Sequence, residues 1–91
     1  MRIRVDLGDD EDQERVEIHL ARRGLGLVDV LAVAEDAVAR RKGSRLYAYG
    51  RGDGSQPMVV VLSKTRAGWK PRTAWEMDDV ERRWWRKQGG R

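Results

Sequence analysis

The chain has 91 residues, no cysteine and a formal net charge of +4. A chain of this length predicts one domain, residues 1–91, that buries roughly 60–65% of the surface its unfolded form exposes. The lack of cysteine excludes a disulfide framework, a thiolate metal site and a thiol nucleophile. The N-terminus lacks an apolar signal segment, and the longest apolar run, Met58 to Leu62, is too short to cross a membrane. We therefore expect a cytoplasmic protein.

The charges are distributed unevenly along the chain. Residues 1–36 contain five Lys or Arg and ten Asp or Glu residues, a net charge of −5. Residues 37–91 contain fourteen Lys or Arg and five Asp or Glu residues, a net charge of +9. A cationic half indicates a phosphate backbone or an acidic protein as partner. The alternative is an arginine-rich composition that only solvates the surface.

The N-terminal third predicts a short strand followed by two helices. Apolar and charged residues alternate from Ile3 to Leu7, which is the period of a half-buried strand. Acidic residues 9–12 complement a helix dipole and Gly24 provides a C-cap, so we expect a helix from about residue 10 to 23. A second helix is expected from about Leu27 to Glu35.

The middle of the chain predicts strands joined by tight turns. Residues 37–41 either extend the second helix or form a hairpin strand, and we favour the strand. From Arg45 to Tyr49 the pattern alternates, which places both tyrosines on one face, and the glycine-rich segment 50–54 predicts a turn. The uncharged, β-branched run Pro57 to Ser63 predicts a central strand covered on both faces.

The last third predicts an edge strand and a helix. Residues 69–75 alternate, which places Trp69 and Trp75 on one side, and Pro71 requires a free edge or a bulge. Asp78 and Glu81 have the spacing of a capping box that begins a helix to about Gln88. We expect this helix to be anchored by two further residues, Val80 and Trp84.

The predicted fold class is α+β. The elements indicate a small antiparallel sheet of three to five strands, two N-terminal helices and one C-terminal helix, with the helices segregated to one side of the sheet.

Most catalytic signatures are absent from the sequence. The glycine-dense segment 50–54 is not followed by the Gly-Lys-Ser/Thr of a phosphate-binding loop. His19 is the only histidine, so no histidine pair can bind zinc. We interpret His19 as a half-buried helix residue rather than a general base. No metal and no cofactor are therefore expected.

Arginine, lysine and aromatic residues remain as the candidate functional groups. Guanidinium groups match phosphate geometry, and aromatic rings stack on bases with about 1–3 kcal/mol each. An RNA-cleaving site can be built from such groups, because the ribose 2′-OH is the nucleophile and the protein only aligns it and stabilises charge. The candidates on the sheet and the last helix are Arg45, Tyr47, Tyr49, Arg51, Lys70, Arg72, Arg82, Arg83, Arg86 and Lys87.

Six short motifs are spaced along the chain from the first predicted helix to the last. They are Leu20-Ala-Arg-Arg-Gly-Leu, Asp29-Val-Leu, Leu46-Tyr-Ala-Tyr-Gly-Arg-Gly, Met58-Val-Val-Val-Leu, Arg72-Thr-Ala-Trp-Glu-Met and Glu81-Arg-Arg-Trp-Trp. From about residue 12 to 87 the chain resembles, in the order of these motifs, the BrnT-type toxins, a family of the RelE/ParE-like toxin superfamily, which belongs to bacterial type II toxin–antitoxin systems.

The resemblance implies a RelE-like fold and a metal-independent, mRNA interferase-like endoribonuclease that arrests translation. Its partners would be a cognate antitoxin and RNA, including ribosome-bound mRNA. Operator DNA would be contacted only through the antitoxin, and no membrane is involved.

The resemblance also suggests roles for individual residues. It matches Arg51, Arg72 and the Arg82-Arg83 pair to basic residues of the family, so the catalytic arginines would be Arg51, Arg72 and Arg83. On the evidence of the residue types alone, Tyr49 or Tyr47 would orient a base or move a proton, and RNA would be bound by Arg45, Tyr47, Lys70, Arg82, Arg86 and Lys87. Trp75 stands where the family has an arginine. A non-catalytic RNA- or protein-binding module of the same fold is therefore the alternative.

Overall fold

The computed structural model describes all 91 residues, which form three helices and four strands. In chain order they are α1 (Asp10–Ala21), α2 (Leu27–Glu35), β1 (Val38–Lys42), β2 (Arg45–Arg51), β3 (Pro57–Lys64), β4 (Trp69–Glu76) and α3 (Asp79–Lys87). The strands form one antiparallel sheet in the order β1-β2-β3-β4. The predicted α+β class and the hairpin strand before Gly43 are confirmed. None of the three helices combines the length and the apolar character that a membrane span requires.

Strand β3 is the centre of the molecule, as its uncharged sequence predicts. Residues 58–62 are each at most 2% exposed. Because successive side chains of a strand point to opposite faces, Met58, Val60 and Leu62 pack in a core with residues of α1 and α2. Val59 instead packs with Trp85 of α3. The prediction that all helices lie on one side is therefore wrong, because α3 covers the face opposite to α1 and α2.

A bulge in β4 changes the alternation of its side chains. Pro71 pairs with Leu62 and Thr73 pairs with Val61, so Arg72 is an extra residue between them. This confirms one of the two placements predicted for the proline. The bulge also separates the two tryptophans at the ends of the strand, since Trp69 packs against the core beneath α1 and α2 and Trp75 packs beneath α3. Their predicted placement on one side is therefore wrong.

The N-terminal segment forms a single bridge rather than the predicted strand. Val5 pairs in parallel with Trp69, and the Trp69 amide donates to the Arg4 carbonyl at 2.9 Å. The Ile3 amide donates instead to the Ala34 carbonyl at the end of α2, at 2.8 Å. Because the segment divides its hydrogen bonds between a helix and a strand, no continuous ladder forms.

Helix α3 begins where the capping box predicts. Of its two predicted anchors, Trp84 packs against the sheet and Val80 does not, and Trp85 is the most deeply buried residue of the helix. The Glu81 amide donates to Asp78 at 2.8 Å, and the Asp78 amide donates to Glu81 at 2.9 Å. Val80 is 67% exposed, whereas Trp85 is 2% exposed, and Trp84 is half-buried. The carboxylate of Glu81 also accepts a hydrogen bond from the Trp75 indole at 3.0 Å. This contact turns the side of the helix that carries Glu81 and Trp85 towards the sheet. Val80 precedes Glu81 by one residue, which is a rotation of about 100° around the helix axis, and it therefore faces solvent.

Candidate nucleic-acid interface

Most basic side chains of residues 37–91 have no acidic partner. Of the fourteen Lys and Arg residues in this part, Lys70 and Arg82 alone form ion pairs, with Asp12 and Asp79. The carboxylates of Asp78 and Glu81 are engaged at the start of α3. The positive charge of this half is therefore largely unneutralised at the surface.

Part of the sheet on the α3 side extends beyond the helix and forms a cationic surface. In the register of the sheet, Arg40 lies beside Tyr47, Lys42 beside Arg45, and Arg45 beside Ser63. The Nε atom of Arg72 donates to Ser63 Oγ at 3.0 Å, which brings the bulge residue to the same surface. We define the basic sheet face as Arg40, Lys42, Arg45, Tyr47, Ser63 and Arg72; its four cations are exposed and it contains no acidic residue.

Aromatic groups lie where the basic sheet face meets α3. The guanidinium of Arg40 lies 5.2 Å from the centroid of the Trp84 ring. The Trp84 and Tyr49 centroids are 4.6 Å apart, with the rings inclined at 54°. Tyr47 and Trp84 are both half-buried. Half-buried rings beside cations provide the stacking surface and the charge that single-stranded nucleic acid requires.

Tyr49 is on the predicted face of β2, but α3 covers it. Its side chain is 7% exposed and packs with Val59, Met77 and Trp85. Burial raises the pKa of the Tyr49 phenol, and the nearby positive charge of Arg40 opposes this rise. The phenol therefore stays protonated at neutral pH and has little surface with which to contact RNA.

Arg51 lies at the opposite end of β2 from the basic sheet face. It follows Arg45 by six residues, which is about 20 Å along a strand. Its guanidinium donates to the carbonyl oxygens of Ser55, at 2.7 Å, and of Arg91, and it lies 5.1 Å from the centroid of the Trp85 ring. The structure therefore does not bring Arg51 together with Arg72.

The predicted residues of α3 form a separate cationic group. Arg82 is paired with Asp79, and Arg83 donates weakly to the Asp79 carbonyl at 3.4 Å. Arg86 and Lys87 are exposed in the last turn, where positive charge also complements the helix dipole. Arg82, Arg83 and Arg86 line a shallow depression on the helix, whereas Arg72 lines a different one, so Arg83 and Arg72 do not belong to one pocket.

Lys70 joins α1 to β4. Its ammonium group lies 2.9 Å from the Asp12 carboxylate, and the two side chains are 20% and 26% exposed. The hydrogen bond from Lys70 lowers the pKa of Asp12, and its effect exceeds the opposing effect of burial. Of the ten predicted site residues, Arg45, Tyr47 and Arg72 are the ones that share the basic sheet face.

Arg40, Lys42 and Ser63 belong to this surface and were not predicted. The signal for Arg40 and Lys42 was in the sequence, because a hairpin turning at Gly43 places alternate residues of β1 opposite Tyr47 and Arg45. Ser63 could be identified only once the pairing of β2 with β3 was known.

Chemically, the surface can neutralise phosphates and stack a base. No group of three or more His, Asp or Glu side chains is arranged to hold a metal ion. No protein-family model, no curated protein and no solved structure matches the chain.

Proposed function

We propose that this chain binds single-stranded RNA through the basic sheet face. The observation that carries the proposal is a set of four exposed cations on the same sheet surface as the half-buried ring of Tyr47, with no acidic residue among them. The four cations are Arg40, Lys42, Arg45 and Arg72. Cations that follow a sugar–phosphate backbone and a ring that stacks on a base are the two components of single-strand recognition.

We propose further that this binding serves a toxin-like component of a bacterial type II toxin–antitoxin pair that acts in the cytoplasm. The order of the motifs from residue 12 to 87 supports this role. A cognate antitoxin would then neutralise the protein, and cellular RNA, including mRNA on the ribosome, would be its target.

Cleavage of the bound RNA is a second candidate function. The observation that favours it is the exposed Arg72 guanidinium on the basic sheet face, held through Nε by Ser63 Oγ. Its terminal amino groups remain free to stabilise charge on a phosphate that is attacked by the neighbouring 2′-OH. The burial of Tyr49 and the distance of Arg51 favour RNA binding as the primary proposal.

Salt-dependent binding to a single-stranded oligoribonucleotide tests the primary proposal. The observed affinity should fall linearly with salt in a log–log plot, with a slope of about −0.7 for each phosphate neutralised. Arg40→Ala/Arg45→Ala should reduce the slope by about 1.4 if each arginine neutralises one phosphate. The matched control is Arg4→Ala/Arg22→Ala, which removes the same charge from the N-terminal half. Equal slopes for the two double variants would contradict the proposal.

Analysis of RNA products tests cleavage separately. The chemistry predicts 2′,3′-cyclic phosphate ends that form in the presence of a chelator, and Arg72→Ala should lower the rate by about 100-fold or more. Expression without an antitoxin should slow growth, and Arg72→Ala should relieve the effect. If the wild type is inert and Trp75→Arg restores toxicity, the chain is a non-catalytic relative of a nuclease. If neither form cleaves RNA or slows growth, the nuclease role is refuted and the binding role stands on the salt experiment.

A further inference from the structure

A cleft of about 300 Å³ lies between α1 and β4, at one end of the basic sheet face. Asp12, Arg15 and His19 of α1 line one wall, and Lys70 and Arg72 of β4 line the other. Arg72 therefore borders both the cleft and the basic sheet face. The RNA-binding and cleavage roles proposed for the basic sheet face do not involve His19 or this cleft.

His19 is held in the cleft by the neighbouring strand. Its Nε2 atom lies 3.0 Å from Thr73 Oγ1, a contact that fixes the imidazole ring against β4. The Nδ1 atom has no hydrogen-bond partner within the protein. The ring is half-buried and lines the cleft, with one nitrogen engaged by the fold and the other without a partner in the protein.

The charged side chains around the imidazole ring are predominantly cationic, and they retain N–H groups that donate no hydrogen bond within the protein. Lys70 uses one of its three N–H bonds on Asp12, at 2.9 Å. Arg72 uses Nε on Ser63, which leaves both of its terminal amino groups free. Arg15 is largely exposed and is 3.9 Å from Glu11, at the limit of an ion pair. Asp12 is the single carboxylate in the cleft, and its charge is directed to Lys70.

We infer that this cleft is a binding site for a phosphate monoester. It combines a fixed imidazole, an ammonium group and a guanidinium group in a space large enough for a terminal phosphate and part of its ribose. A monoester carries more charge and more acceptor oxygens than the diester of a chain, so it benefits more from clustered donors. This identification of the ligand rests on the proposed RNA binding: the terminal phosphate of an RNA lying on the basic sheet face would enter the cleft past Arg72.

Titration with inorganic phosphate tests the site without RNA. Because His19 is the only histidine, its ring gives one unambiguous set of NMR resonances. Phosphate should shift these resonances and the Thr73 amide saturably, whereas chloride at equal ionic strength should not. His19→Gln should weaken phosphate binding, read at the Thr73 and Lys70 amides. The control Arg2→Ala, at an exposed residue outside both the cleft and the basic sheet face, should leave phosphate binding unchanged. Equal responses to phosphate and chloride would overturn the inference.

Oligoribonucleotides that differ only at their ends test the nature of the ligand. One sequence is prepared with a 5′-phosphate, with a 3′-phosphate and with two hydroxyl ends. One phosphorylated form should bind about tenfold more tightly, since a hydrogen bond to a charged group contributes roughly that factor. His19→Gln should remove this preference and leave the affinity for the hydroxyl-ended form unchanged.

The possible outcomes separate this inference from the proposed function. Equal affinities for all three RNAs would support RNA binding and overturn the terminal-phosphate site. No affinity for any RNA, together with a saturable phosphate shift at His19, would overturn RNA binding and support a phosphate site for a smaller ligand. A phosphate preference that persists in His19→Gln would place the monoester elsewhere and overturn the inference.

Discussion

Removal of the Trp85 side chain should destabilise the protein far more than removal of its neighbour Trp84. Trp85 is 2% exposed and lies in the cluster formed by Tyr49, Val59 and Met77, whereas Trp84 is half-buried. The Arg51 guanidinium lies over the Trp85 ring, and the backbone of Gly90 packs against it so closely that a side chain at Gly90 would collide with the indole. Trp85→Ala would therefore disrupt three separate packing arrangements.

The expected loss is a large part of the stability of such a domain. Truncation of a buried tryptophan to alanine typically costs about 3–5 kcal/mol, out of a total of about 5–15 kcal/mol. At about 4–8 °C per kcal/mol for a domain of this size, Trp85→Ala should lower Tm by at least about 12 °C. Trp84→Ala should lower Tm by less than half as much, because its ring is already partly solvated.

Thermal unfolding followed by far-ultraviolet circular dichroism provides the measurement, and urea unfolding at 25 °C provides an independent free energy. Both variants retain the two tryptophans of β4, so they are matched in composition. An effect of Trp84→Ala equal to or larger than that of Trp85→Ala would refute the reasoning. It would mean that α3 packs on the sheet through the side of the helix that carries Val80 and Trp84.

Three further predictions concern other parts of the molecule. Asp29→Ala should lower the free energy of unfolding by about 3 kcal/mol, measured by urea denaturation. The reason is that this carboxylate, which is 7% exposed, accepts hydrogen bonds from two backbone amides and from the side-chain amide of Gln56. An unchanged urea midpoint would show that these hydrogen bonds do not stabilise the fold. The pKa of Asp12 is lowered from 3.8 in the folded state, so its contribution to stability is present above about pH 4 and is lost as pH falls through the folded pKa. Asp12→Asn should therefore flatten the acid limb of stability against pH, and an identical limb would contradict the assignment. Tyr47→Ala should weaken binding of single-stranded RNA by about 1–3 kcal/mol, measured by fluorescence anisotropy, whereas Tyr47→Phe, which keeps the ring, should not.

The fold could be predicted wherever a local signal determined the structure. The capping box at Asp78, the glycine turn after β2 and the uncharged sequence of β3 each specify an element through contacts within a few residues. The side of the sheet on which α3 packs could not be predicted in this way. It depends on Trp85 meeting Val59 and Met77 across the sheet, and amphipathic spacing was compatible with either Trp84 or Trp85 as the anchor.

The candidate site was predicted in residue type more successfully than in position. Alternation identified Arg45 and Tyr47, and charge asymmetry identified Arg72, because neither signal depends on how the strands pair. Grouping Arg51 with Arg72 failed, since antiparallel pairing places them towards opposite ends of the sheet. Two of the three hydrogen bonds that Asp29 accepts could not be predicted either, because their donors, Asp53 and Gln56, lie in a turn more than twenty residues away.

The placement of helices on both faces of the sheet also separates negative charge from positive charge across the molecule. The N-terminal half, with its net charge of −5, supplies the two helices on one side of the sheet. The opposite side presents the basic sheet face and α3, from the half with a net charge of +9. Such a separation is a permanent electric dipole, and a polyanion exerts a torque on it before any contact forms. If the protein binds RNA as proposed, its basic side would be turned towards the RNA chain before contact. Salt screens these charges, so the association rate with RNA would fall as the ionic strength rises.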